Sequence, residues 1–120
     1  HFLQIWVIPQ MQGLKPTYAE KHFPEAERLG SLRLIASPDG RHGSLAIRQD
    51  ASIHAAVLQE GNELVHPLAE GRRTWLQVAK GALDVNGLNV VEGDGLAVVK
   101  EPSLAIRASS RSEILLFDLQ

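Results

Sequence analysis

Gly61-Asn-Glu-Leu-Val-His66-Pro67-Leu-Ala69-Glu-Gly71-Arg-Arg-Thr74-Trp-Leu-Gln-Val-Ala-Lys-Gly81, continued by Ala82-Leu-Asp-Val-Asn86-Gly87-Leu-Asn-Val-Val-Glu-Gly93-Asp94-Gly95, is the stretch that decides the fold. Its apolar runs are short and stop at glycine, proline, aspartate or asparagine, the punctuation of strands joined by turns. Residues 82–90 read as a hairpin, because the Asn86-Gly87 pair supplies the positive φ angles of a tight type I′ turn. The same texture continues outward, with strands expected at residues 32–36, 44–48, 52–58, 74–78, 82–85, 96–99, 104–107 and 113–119. Many short strands at regular spacing point to an all-β antiparallel sandwich or barrel. A doubly wound α/β fold is excluded, since the connections are far too short for crossover helices. Residues 16–28 form the stretch that fits a short helix or a turn-rich excursion. Alternation along 74–78 and 113–119 is expected to bring Trp75 or its neighbours, with Leu115 and Phe117, into the core.

Composition narrows the reading further. A chain of 120 residues with 44% hydrophobic content suffices for one domain with a real core and is too short for two. A formal net charge of −2 lacks the basic footprint of a nucleic-acid binder. With no cysteine there is no disulfide framework, thiolate ligand or thiol nucleophile, and the redox compartment is not readable. No run approaches the length of a membrane span and no signal peptide with a basic start is visible, so a soluble, cytoplasmic protein without a membrane partner is expected. His1-Phe-Leu-Gln-Ile-Trp-Val-Ile8 is already a strand pattern with no initiator methionine, and on that basis the chain is expected to be a fragment.

The glycine frame resembles the two motifs of the cupin superfamily, whose fold is a double-stranded β-helix of jelly-roll type. Laid from Gly61 to Gly81, the first motif puts Pro67, Ala69 and Thr74 where two imidazoles and a carboxylate would sit. Anchored at Gly87, the second gives Gly93, Asp94 and Gly95 for the turn and Val98 for the third histidine. A divalent metal needs roughly three or four N/O donors converging at about 2 Å. These positions offer a ring, a methyl, a hydroxyl and an isopropyl group, so no metal or catalytic group is expected there. The resemblance sharpens over Leu3-Gln-Ile-Trp-Val-Ile-Pro9, Gly13-Leu-Lys-Pro-Thr-Tyr18, His22-Phe-Pro24, Ser37-Pro-Asp39, Gly43-Ser44, Gln49-Asp50, Arg72-Arg-Thr-Trp-Leu-Gln-Val-Ala-Lys-Gly81 and Glu113-Ile-Leu-Leu-Phe-Asp-Leu119. In order and spacing these look like the second half of a bacterial pirin-like protein, across essentially the whole chain. The resemblance implies a bicupin of about twice this length, with one iron-type metal held by three histidines and a glutamate in the N-terminal cupin. Some bacterial members act as quercetin 2,3-dioxygenases, and eukaryotic pirin is a nuclear cofactor of transcription. Residues 1–120 then correspond to the C-terminal cupin alone.

Other candidate sites have plainer readings beside them. The 5 histidines are His1, His22, His42, His54 and His66, and no pair is spaced as His-x-His. Read simply, they are scattered surface or half-buried residues. His54 and His66 are the best placed for an adventitious zinc site, with Glu63 or Glu70. Arg72, Arg73 and Lys80 suit an anion, or a solvated rim with a pair to Glu70. Gly93-Asp94-Gly95 lacks the helix and lysine of a phosphate loop and reads as a turn. Trp6 and Trp75 suit either core packing or stacking on a flavonoid ring. Ser109-Ser-Arg-Ser112 reads as a polar turn. Two functions remain. One is a metal-free cupin supporting the catalytic half of a pirin-like dioxygenase. The other is a small-molecule-binding or metal-recruiting cupin working through the barrel mouth near His54, His66 and Trp75. An orphaned face around Phe2 and Trp6 is expected to pack against the N-terminal cupin, or to drive a homodimer in its absence.

Overall fold

The computed structural model describes residues 25–47, 50–99 and 101–119; the expected strand at residues 1–8, with Phe2 and Trp6, lies outside them. After one helical turn, α1 (Glu25–Arg28), the chain forms β1 (Arg33–Ser37), β2 (Leu45–Ala46), β3 (Ala51–Leu58), β4 (Glu63–Pro67) and β5 (Arg73–Lys80). It continues through β6 (Ala82–Val85), β7 (Leu88–Val91), β8 (Gly95–Val98), β9 (Ser103–Ala108) and β10 (Ser112–Leu119). Two sheets result, a six-stranded one in the order β2-β1-β3-β10-β5-β8 and a four-stranded one in the order β4-β9-β6-β7. Pairing is antiparallel except between β1 and β2. Among the described residues, no helix is long and apolar enough to cross a membrane.

The hairpin of β6 and β7 forms as its sequence dictates. Val85 pairs with Leu88, and the two residues between them carry positive φ, 48° at Asn86 and 88° at Gly87. Asn86 does more than turn the chain. Its Oδ1 accepts the Ala105 amide at 2.7 Å and its Nδ2 donates to the Ser103 carbonyl at 3.2 Å, tying the turn to β9. Gly81, at φ 90°, is needed for space as well as angle, since a Cβ there would run into the Arg111 carbonyl and Ser112.

The core lies between the sheets. Leu58, Leu76, Val78, Ile114 and Leu116 from the larger sheet meet Leu83, Val85, Leu104 and Ile106 from the smaller in one buried cluster. Each such side chain contributes roughly 1.5–3 kcal/mol of transfer free energy. The register shows which faces point inward: Leu116 lies opposite Leu76 and Ile114 opposite Val78, whereas Phe117 lies opposite Trp75 and Leu115 opposite Gln77. The expectation for Leu115 and Phe117 is therefore corrected. They occupy the outer face, half-buried, and it is the neighbours of Trp75, Thr74 and Leu76, that turn inward. Both alternating sets of β10 are apolar, so periodicity alone does not choose between them. Trp75 keeps 39% exposure, and its ring lies where Gly95 lacks a Cβ. Strand β4 had no counterpart among the expected strands, and of the strand expected at 44–48 the described residues show Leu45–Ala46.

This register is checked by truncation. Leu116→Ala should lower unfolding free energy in urea by about 2–5 kcal/mol, and Leu115→Ala by on the order of 1 kcal/mol. Equal losses would mean that the two faces of β10 are packed alike.

Candidate functional site

The residues with chemistry gather at one end of the sandwich, and strand register puts them there. One row across the larger sheet runs Ser52, Asp118, Thr74, Val98; the next, one step deeper, runs His54, Leu116, Leu76, Leu96. Thr74 and Val98 are thus cross-strand neighbours facing the interior, at 5% and 8% exposure.

The first-motif positions fall differently. Along β4 the half-buried residues are Leu64 and His66, while Glu63, Val65 and Pro67 are exposed. The alternation carries on into Leu68, packed on the core, and Ala69, exposed. Pro67 and Ala69, the positions where the motif frame expects two imidazoles, therefore face away, and His66 and Leu68 take the inward places. The frame is displaced by one residue because His66 pairs with Leu104, a fully buried core residue of β9.

His66 meets His54 across the interior, ring centres 5.5 Å apart and planes at 61°. Glu63 does not join them, for it points outward toward Arg107 at 3.8 Å. Glu70 is exposed in the β4–β5 turn, and His42 is exposed in the 3-10 turn Arg41–Gly43. His1 and His22 lie outside the described residues. Burial lowers the pKa of His54 below 6.5, helped by His66 and Arg41 and opposed by Asp118. His66 is likewise lowered by burial, with Asp118 opposing. Both are neutral imidazoles at pH 7. The Nδ1 of His54 is buried and makes no hydrogen bond.

Arg72 sits over this end as a clamp. Its Nε donates to Asp118 Oδ1 at 3.0 Å and its Nη1 to Asp50 Oδ1 at 2.8 Å, while Nη2 reaches the carbonyls of both at 3.3 and 3.4 Å. Burial works against its charge, but the bonds to the two aspartates outweigh this and raise its pKa. Arg72 thus pairs with Asp50 and Asp118 rather than Glu70, and its fork is taken. Lys80 stands at the far end of β5 from Arg73, so the three cations do not converge on one anion. Arg72 and Arg73 do border a cleft of about 770 Å³, lined also by Leu68, Val98 and Pro102 and by the carboxylate residues Glu70 and Glu101.

The remaining candidates are structural. Trp75 lies on the outer face, its Nε1 donating to Gln77 Oε1 at 3.2 Å, and so is not part of the mouth where His54 and His66 meet. Asp94 accepts the Val91 amide within its turn at 2.9 Å. Ser112 bonds back to Ala82 and Ser110, as a polar turn does. No group of three or more histidine, cysteine, aspartate or glutamate side chains able to hold a metal occurs among the described residues. A centre of three histidines and a glutamate does not fit Leu68, Thr74, Val98 and His66, of which the histidine alone supplies a nitrogen.

Comparison with known proteins agrees with this architecture. Residues 34–119 match the family described as the quercetinase C-terminal cupin domain, and the chain belongs to that family of cupins from pirin-like proteins. The quercetin 2,3-dioxygenase of Escherichia coli strain K12 is 40% identical over 119 residues, covering 99% of this chain and 50% of that protein. A pirin-like protein of Caulobacter vibrioides is 32% identical over 116 residues, with 96% and 50% covered. The crystal structure of YhhW from E. coli superposes with a TM-score of 0.90 at 38% identity, over 96% of this chain and 48% of that one. The structure of that bacterial pirin in complex with nickel(II) gives 0.88 at 38% identity, over 95% and 48%. The chain thus has a cupin-type β-sandwich and spans about half the length of the curated relatives it matches.

The buried histidines make stability depend on pH with a definite sign. A histidine whose folded pKa lies below its unfolded value of about 6.5 leaves the unfolded state binding more protons in between. Stability is therefore full above that value and falls as pH drops through it toward the folded pKa. Urea midpoints should decrease from pH 7.5 to about pH 5.5, and His66→Gln should flatten the slope. An unchanged slope would assign the pH dependence to other groups.

Proposed function

We propose that this chain is the non-catalytic C-terminal cupin of a bicupin, a single domain that supports or covers a metal-dependent N-terminal cupin in a cytoplasmic, pirin-like parent of quercetin 2,3-dioxygenase type. The observation that carries the reading is the lining of the mouth: where a cupin metal centre draws its donors, Leu68, Thr74 and Val98 present two alkyl groups and one hydroxyl, and His66 alone presents a nitrogen. Membership of a family described as C-terminal, together with relatives twice as long, supports the idea that the chemistry belongs to the other half. The partner in this reading is that N-terminal domain, with neither nucleic acid nor membrane involved. A second reading, a small-molecule-binding cupin, is favoured by the 770 Å³ cleft lined by Leu68, Arg72, Arg73 and Val98, which lies apart from His54, His66 and Trp75.

The isolated chain, as purified, should hold substoichiometric iron and consume no oxygen with quercetin. One iron per chain accompanied by quercetin-dependent oxygen uptake would overturn the supporting role. Separately, the face that the sequence assigns to Phe2 and Trp6 is left without the N-terminal cupin in the isolated chain, and open apolar area is worth roughly 25 cal/mol per Å² when covered. Sedimentation at micromolar concentration should show a homodimer. A clean monomer would mean that the domain is self-sufficient.

A further inference from the structure

We propose that His54 and His66, half-buried and facing each other between the two sheets, form a two-imidazole site for a zinc-class divalent ion, with donors different from the three-histidine, one-glutamate set of the family's iron-type centre.

The geometry suits a shared ion. With metal–nitrogen bonds of about 2.0–2.1 Å, two imidazoles on one ion hold their ring centres roughly 4.5 Å apart at a right angle and roughly 6.3 Å apart when opposed. The observed separation is 5.5 Å, with the rings inclined at 61° rather than stacked. A buried, unbonded ring nitrogen, His54 Nδ1, is a group that ordinarily finds a partner or costs stability. Both rings are neutral at pH 7, the form that ligates without first losing a proton. The two come from different sheets, β3 and β4, so their placement is set by the sandwich and not by a flexible loop.

The charges around the pair are mixed. Asp118 acts favourably on both histidines, while Arg41 acts as a positive charge on His54; Arg72 is bound to Asp50 and to that same Asp118. Since no third histidine, cysteine or carboxylate completes a cluster among the described residues, water or an exogenous ligand fills the remaining positions. The site is consequently labile. Nitrogen donors without thiolate or a carboxylate cage favour copper, nickel and zinc over manganese and iron. This keeps the inference compatible with a domain that carries no iron.

Zinc chloride titrated into the isotope-labelled chain at about pH 7.5, where both rings are neutral, with the imidazole nitrogens followed by NMR, tests the assignment. The ring nitrogens of His54 and His66 should move together and saturate near one zinc per chain, and manganese should leave them unmoved at the same concentration. His54→Gln and His66→Gln should each weaken zinc binding by about tenfold or more. Shifts confined to His1, His22 or His42, or affinity unchanged in the variants, would overturn the site. If a variant does not fold, the wild-type spectra still decide, because they report which rings take the metal.

Discussion

Strand β10 is held in register on both sides at once, and the rest of the molecule depends on that double pairing. Residues 112 to 119 pair in unbroken succession with 58 to 51 of β3, and 114 to 119 with 78 to 73 of β5. A slip of one residue would turn every side chain to the opposite face. The pairing therefore decides together that Ile114 and Leu116 enter the core, that Leu115 and Phe117 stay outside, and that Asp118 arrives at the mouth beside Thr74 and Ser52. A register shift between Glu113 and Ile114 in the β5 pairing confines the irregularity to the far end, near Gly81.

At the mouth, polar side chains border an apolar interior, and each must be matched. Arg72 answers Asp50 and Asp118 with four hydrogen bonds. These groups keep a third or so of their surface in water, so the net stabilisation is modest. The larger effect is positional, because one guanidinium joins the β4–β5 turn to the start of β3 and the end of β10, closing the rim that carries Leu68 and Ala69. Among the described residues His54 and His66 have no such network. Their burial is tolerated in the neutral form, which is why their pKa values fall. Thr74 and Val98 face each other across β5 and β8 with a hydroxyl and an alkyl group, and the cupin fold alone does not confer a chemistry.

Parts of this were legible from the chain alone, where the information is local. Asn86-Gly87 determines its hairpin, because few residue pairs accept two consecutive positive φ angles. The short, punctuated runs determined an all-β fold, and the spaced glycines with their surrounding motifs determined the family. His54 and His66 stood out as the best-placed imidazoles before any contact between them was visible.

What only the tertiary structure decided are the choices that periodicity leaves degenerate and the contacts that span the chain. In β10 and β5 both alternating sets contain large apolar groups, so the inner face was settled by pairing with β3 and not by hydrophobicity. Counting from Gly61 placed Pro67 and Ala69 in the motif, but the pairing of His66 with Leu104 turned β4 by one residue and exchanged the inward set. Arg72 lies 22 residues from Asp50 and 46 from Asp118 in sequence, and no local rule connects such residues. The mouth exists because two sheets close on each other, and sequence order holds no record of which residues that closure brings face to face.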